Sequence, residues 1–168
     1  DEISTHWKVG QPLTVDIINN CEYLLAFLKE IHRFVNITQN NGDREATRDH
    51  QIKDLKIQKG TNVSVGFRFM NHNTRFYKNP EKFEPERFLR KDPEELFNSD
   101  PFVFIPFSSG RANCLGQHVA NLEAKIVLMH MIMKYDLVLP DNYEHKLRLG
   151  LSGFLVPMHP MPLKLNVR

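Results

Sequence analysis

The chain has 168 residues, close to one ordinary domain and enough to bury about 70% of the surface its unfolded form exposes. Hydrophobic residues make up 41% and charged residues 25%, with 10 Pro and 8 Gly, which excludes a disordered chain and a collagen-like repeat. Lys and Arg outnumber Asp and Glu by 22 to 20 with no basic block, so nucleic acid is not an expected partner. Cys21 and Cys114 form no CxxC pair and provide neither a disulfide scaffold nor a four-cysteine zinc site, and a reducing compartment is the simplest reading. The polar opening from Asp1 to Gly10 has no signal peptide, and the longest greasy stretch, Ile126 to Met133, is far shorter than the roughly 20 residues of a membrane span.

In chain order, Asn19 with Glu22 three residues on reads as a capping box for a helix over Cys21 to Phe34, in which Leu24, Phe27, Leu28 and Ile31 keep helical spacing. Gly42 and the charged run after it close that segment. Ile52 to Lys59 reads as a small hairpin ending at Gly60. Val63, Val65, Phe67 and Phe69 then alternate with polar or small residues, which predicts a strand with one face on a core. From Asn71 to Phe107 the period is lost, and Asn79-Pro80, Glu84-Pro85, Asp92-Pro93 and Asp100-Pro101 each push the residue before proline out of helical space. The result is a long meander with short helical turns, a length that a compact domain keeps for a purpose. Val119, Leu122, Ile126, Met129 and Met133 predict a largely buried helix from Leu115 to Tyr135, and Leu163, Leu165 and Val167 a closing strand after a Gly- and Pro-rich turn around Gly150 to Pro162.

Cys114 stands ahead of the buried helix in the run Phe107-Ser108-Ser109-Gly110-Arg111-Ala112-Asn113-Cys114-Leu115-Gly116. A helix start offers unpaired N–H groups that favour thiolate, and glycines let backbone approach a flat ligand closely. A cysteine at a helix start is by itself weak evidence, since an inert buried thiol is the more frequent case. His118, four residues on, makes a Cys/His pair, but structural zinc takes four ligands and no second pair accompanies it. Met129, Met131 and Met133 read as core filler, and Cys21 as an ordinary thiol.

The whole run resembles the haem-binding loop of the cytochrome P-450 monooxygenases, with Phe107 seven residues before Cys114, Gly110 four before and Gly116 two after. Glu30-Ile31-His32-Arg33 is similar to that family's Glu-x-x-Arg helix, Pro85-Glu86-Arg87-Phe88 to its PERF segment, and Arg44 to an arginine that meets a haem propionate. The resemblance covers nearly all of the chain and implies the C-terminal part of an α+β, mainly helical fold, whose N-terminal portion, with the oxygen-activating helix and any anchor, belongs before Asp1. It implies haem b with Cys114 as the iron ligand, and a lock of Glu30, Arg33 and Arg87 in which buried charges are tolerated because each is paired. It implies a monooxygenase inserting one atom of O2 into an apolar substrate, with electrons from an NADPH-dependent flavoprotein reductase at the cytoplasmic face of the endoplasmic reticulum, and a chain inactive without the rest of the enzyme. The rival readings are a hydroperoxide isomerase or dehydratase on the same fold, and a truncated, non-catalytic remnant. One departure stands out: the family's basic residue two positions before the cysteine is here Ala112, with Arg111 one step earlier. Either Arg111 reaches the propionate from its shifted position or Arg44 serves alone.

Overall fold

The computed structural model describes residues 2–38, 40–89, 100–141, 149–151, 155–157 and 161–168. Helices α1 (Glu2–His6), α2 (Val15–Asn19) and α3 (Glu22–Phe34) come first, followed by strands β1 (Asn40–Glu45), β2 (His50–Ile52), β3 (Leu55–Ile57) and β4 (Asn62–Gly66). Helix α4 (Phe67–Asn71) leads into the meander, and α5 (Gln117–Lys134) is followed by β5 (Tyr135–Val138), β6 (Leu149–Leu151), β7 (Leu155–Pro157) and β8 (Lys164–Val167). Among the described residues the strands form two-stranded antiparallel ladders, β1 with β4, β2 with β3, β5 with β8 and β6 with β7, an α+β arrangement in which helices build the core.

That core joins Ile3 and Trp7 of the N-terminal segment to Ile18, Cys21, Leu24 and Met129, with Leu13, Ile17, Ile126, Leu128, Ile132 and Met133 packed around them. Ile3 and Trp7 are four residues apart, one helical turn, so the polar opening carries an apolar edge that its composition hides. The Trp7 indole N–H donates to the Gln11 carbonyl at 3.0 Å, and its ring meets His130 edge-on at 4.8 Å.

Asn19 does not cap α3; it ends α2, and Cys21 precedes α3 with no side-chain cap of its own. The cap comes from a distance. Both carboxylate oxygens of Glu2 accept from first-turn amides of α3, Tyr23 N–H at 2.7 Å and Leu24 N–H at 3.0 Å, which satisfies donors a helix start leaves open and sets a negative charge at its positive end.

The alternation from Val63 to Phe69 is strand only as far as Gly66. Phe67 begins a helical turn in which Phe67 and Asn71, four residues apart, are buried while Phe69 is 81% exposed. The ring of Phe69 folds back on Gly66, where an added Cβ would stand 2.8 Å from Phe69 Cδ2, so the glycine makes the change of direction possible. The expected core-facing side of this strand is also absent, since Val63 and Val65 are both exposed on the open β1–β4 ladder. β1, hidden in a charged stretch, is irregular between Asn41 and Arg44, which pair with Val65 and Val63.

Helix α5 starts at Gln117 and gives way to a strand at Tyr135, so Leu115 sits in a turn before it and is 98% exposed. The expectation of a largely buried helix fails: Met129 is its buried residue, while Val119 and Val127 are more than half exposed. The helix carries apolar side chains on every side, and α1 and α3 cover only part of it. The closing strand β8 pairs with β5, Tyr135 opposite Val167 and Leu137 opposite Leu165. Much of the expected Gly- and Pro-rich turn, residues 152–154 and 158–160, lies outside the described residues, as do 90–99 of the meander.

Glu2→Ala should lower stability by about 0.5–2 kcal/mol, the range for losing a helix cap, read as an earlier urea midpoint with an unchanged slope. An unaltered midpoint would mean that water replaces the Glu2 carboxylate without loss.

Candidate functional site

Helix α3 is buried on two sides. Leu24 and Leu28 face the core, and in its second half Glu30 and Arg33, one turn apart, are completely buried. Arg33 Nε and Nη2 donate to Glu30 Oε2 and Oε1 at 2.7 and 2.8 Å, a bidentate pair. The remaining guanidinium donors close on loop carbonyls: Nη1 on Asn71 and Pro80, both at 2.8 Å, and Nη2 on Lys82 at 3.1 Å. Arg87, on the 3-10 turn Pro85–Phe88 and 2% exposed, brings its Nε to Glu30 Oε1 at 3.3 Å, and the Glu84 amide donates to the same oxygen at 2.8 Å. Arg87 also donates to the carbonyls of Lys78 and Lys82 and lies 3.7 Å from Glu84 Oε2. Glu30, Arg33 and Arg87 are thus brought into one dry cluster.

Cys114 lies elsewhere, in the turn before α5, with its thiol exposed. Its amide donates to the Phe107 carbonyl at 2.9 Å and closes the loop between them, and Ser108 N–H to Ile105 and Asn113 N–H to Gly110 tighten its two corners. Ser108 and Gly110 both turn through positive φ, at 67° and 78°. Nothing stands within 4 Å of where a Cβ on Gly110 would be, so that position is glycine for its backbone and not for space. A Cβ on Gly116 would stand 3.9 Å from Cys114 Sγ.

Cys114, Phe107 and Ala112 line one groove of about 370 Å3, whose other wall holds Arg44, Thr38, Ile37 and Asn36. Arg44 follows the irregular step in β1, is exposed, and spends one donor on the Asp43 carbonyl. Arg111, on the 3-10 turn Gly110–Ala112, is exposed and is not among the groove's lining residues. The structure therefore gathers Phe107, Cys114 and Arg44 and leaves Arg111 outside. The exposed His118 lines a second groove, together with Gln117 and Asn121 of α5.

Asn36 carries no signal that assigns it to this groove. His32 has a faint one, since Leu25, Leu28 and His32 follow at steps of three and four and so share a face distinct from that of Glu30 and Arg33. Its ring meets Phe107 edge-on at 5.0 Å, and its Nε2 lies 3.4 Å from Asn121 Oδ1 on α5. Burial pushes the His32 pKa down, with the contact to Asn121 acting the other way.

Glu30→Ala leaves two buried guanidiniums without their carboxylate and should cost about 3–5 kcal/mol, enough to abolish the folded protein at ordinary temperature; a normal melting curve would show that the cluster contributes little. His32 is favoured in its neutral form by folding, so the unfolded chain binds the extra proton first and stability rises with pH. Acidification below about pH 6.5, the unperturbed histidine value, should therefore destabilise the protein, and His32→Gln should flatten that slope in unfolding curves taken across the range.

A family model described as Cytochrome P450 matches residues 1–167. Cytochrome P450 3A14 of Cavia porcellus is 30% identical over 155 residues, 92% of this chain and 30% of that protein. Cytochrome P450 3A11 of Mus musculus is 30% identical over 168 residues, 100% of this chain and 32% of its own length, and Cytochrome P450 4c21 of Blattella germanica is 32% identical over 155 residues, 92% and 30%. The chain spans about a third of the length of these relatives. With a match from its first residue to its last but one, the chain belongs to the cytochrome P450 family.

Proposed function

We propose that Cys114 is the iron ligand of a haem b seated in the groove between the Phe107–Cys114 loop and Arg44, and that the whole protein is a haem-thiolate monooxygenase. The exposed thiol at the edge of that groove, on a loop closed by its own backbone, is the observation that carries the reading.

The donor set suits this cofactor. Among the described residues no three His, Cys, Asp or Glu gather as a bare ion would need. A porphyrin brings its own four nitrogens and would need one further donor from the protein, which the thiolate of Cys114 would supply. Phe107 and Pro106 give the groove flat apolar surface for the macrocycle, and Arg44 gives it a cation for a carboxylate at the macrocycle's edge. When bound, haem supplies a redox-active iron whose thiolate ligand favours O–O cleavage.

The chain's own residues hold and orient. The bond from Cys114 N–H to the Phe107 carbonyl fixes the sulfur's approach, and the left-handed turns at Ser108 and Gly110 let the loop double back to make it. Ile37, which lines the groove with Thr38, would offer an apolar surface to a substrate. By family likeness the turn near Gly150 to Phe154 would also touch substrate, and its residues 152–154 lie outside the described ones. In the proposed reaction one atom of O2 enters the apolar substrate and the other leaves as water, with two electrons passed on from NADPH by a flavoprotein reductase and two protons from solvent. Arg87, Glu30 and Arg33 take no part in bond making; they keep the meander in place. None of the described helices is long and apolar enough to cross a membrane, so the proposed placement at the cytoplasmic face of the endoplasmic reticulum rests on family likeness alone.

In the haem-loaded protein, the ferrous carbon monoxide complex should show the strongly red-shifted Soret band of thiolate ligation. Cys114→Ser should lose the band while Cys21→Ala, at the other cysteine, keeps it. A red-shifted band that survives Cys114→Ser would end the assignment.

A further inference from the structure

Asn36 is 3% exposed, and its amide nitrogen is buried with no hydrogen-bond partner. An unpaired buried donor costs about 1–3 kcal/mol and calls for a cause. The backbone supplies part of one: Asn36 follows Val35, the C-terminal cap of α3, and its φ of 41° is the left-handed turn that glycine or asparagine accepts after a helix. Glycine would serve that turn as well and would bury no amide. The side chain therefore has a reason beyond the turn, and its position indicates one, because Asn36 lines the same groove as Cys114, Arg44 and Ala112.

Ala112 gives the groove no donor on the Cys114 side, and Arg111 lies outside the lining, so among the described residues Arg44 is the groove's one arginine or lysine. Thr38, Ser108 and His32 also line the groove, and an anionic group with two carboxylates takes more donors than Arg44 alone supplies. We infer that the Asn36 side-chain amide donates a hydrogen bond to a haem propionate, in place of the basic residue that Ala112 lacks. The inference rests on the reading of the groove as a haem site. The amide turns about χ2 in a broad, two-fold torsion, so the direction of Nδ2 changes without any backbone movement. Out of bulk water, a neutral donor to a carboxylate holds more firmly than the same bond on an exposed surface.

The test is the rate at which the haem-loaded protein gives up its porphyrin to excess apomyoglobin. It is run with haem b and with an iron porphyrin carrying alkyl groups in place of both propionates. Asn36→Gly keeps the left-handed backbone and deletes the amide; it should lose haem b roughly tenfold faster than the parent, the change expected for one charge-assisted hydrogen bond. With the alkyl porphyrin the parent and the variant should not differ. Equal rates with haem b overturn the inference, and so does a difference that persists with the alkyl porphyrin, since the effect would then come from packing. Should Asn36→Gly fail to load, Asn36→Asp decides: it preserves shape and turn, sets a carboxylate against the propionate, and should lose haem b faster than the parent while holding the alkyl porphyrin equally well. Loss of the red-shifted Soret band only in Cys114→Ser, with no effect of Asn36→Gly on haem transfer, would leave the iron ligand standing and remove this inference alone.

Discussion

One carboxylate organises the region between α3 and the Cys114 loop. Glu30 is fully buried and accepts from two guanidiniums and a backbone amide, and the guanidiniums in turn close the carbonyls of Asn71, Lys78, Pro80 and Lys82. Those carbonyls belong to a segment with no strand or long helix to satisfy them, and buried backbone groups must be paired somewhere. Here the side chains of Arg33 and Arg87 do what a ladder does elsewhere. The desolvation of Glu30, Arg33 and Arg87 is offset because Glu84, 3.7 Å from Arg87, brings the set to neutrality and almost every donor is used. A hydrophobic replacement could match such a cluster in stability, but it could not hold these carbonyls in register.

From that hub the position of the cysteine loop follows by contact. The guanidinium of Arg33 lies 5.3 Å from the ring of the buried Tyr77, whose hydroxyl donates to the Val103 carbonyl at 3.4 Å. Phe88, next to Arg87, packs on Phe104 at 4.9 Å, and His32, between Glu30 and Arg33, packs on Phe107. The Phe107 carbonyl then receives the Cys114 amide. The charge cluster and the groove's thiol are thus joined by a continuous chain of packing contacts and hydrogen bonds.

How much of this was legible depended on the range of the interaction. The Phe107 to Gly116 spacing is local, written in consecutive residues, and it identified the family; so is the 3.6 period of α3, seen to within a residue of Glu22–Phe34. The Glu2 cap, 21 and 22 residues from the amides it serves, left no mark in a window of helical length, and Asn19 with Glu22 imitated a capping box that tertiary structure overrode. Phe67 and Phe69 kept the strand's alternation, but the side chain of Phe69 packed on Gly66 and the burial of Asn71 decided for a helix. For α5 the failure was one of coverage. Apolar residues on every side say that a helix can be buried, and only its neighbours decide whether it is, so Val119 and Val127 stay exposed beside α1 and α3.

The same distinction applies within the groove. A short loop closed by its own backbone is written in consecutive residues, so the spacing around Cys114 was legible from its immediate neighbours. A residue can reach the groove from any element beside it, so the lining is not written in one local motif. Arg44 reaches the groove from beyond an irregular step in β1, a strand hidden in a charged stretch, while Arg111, next to Ala112, is outside the lining. A shift of one residue on a 3-10 turn rotates a side chain by about a third of a circle, so proximity in sequence counts for little there. The rim is therefore where the structure adds most to the motif.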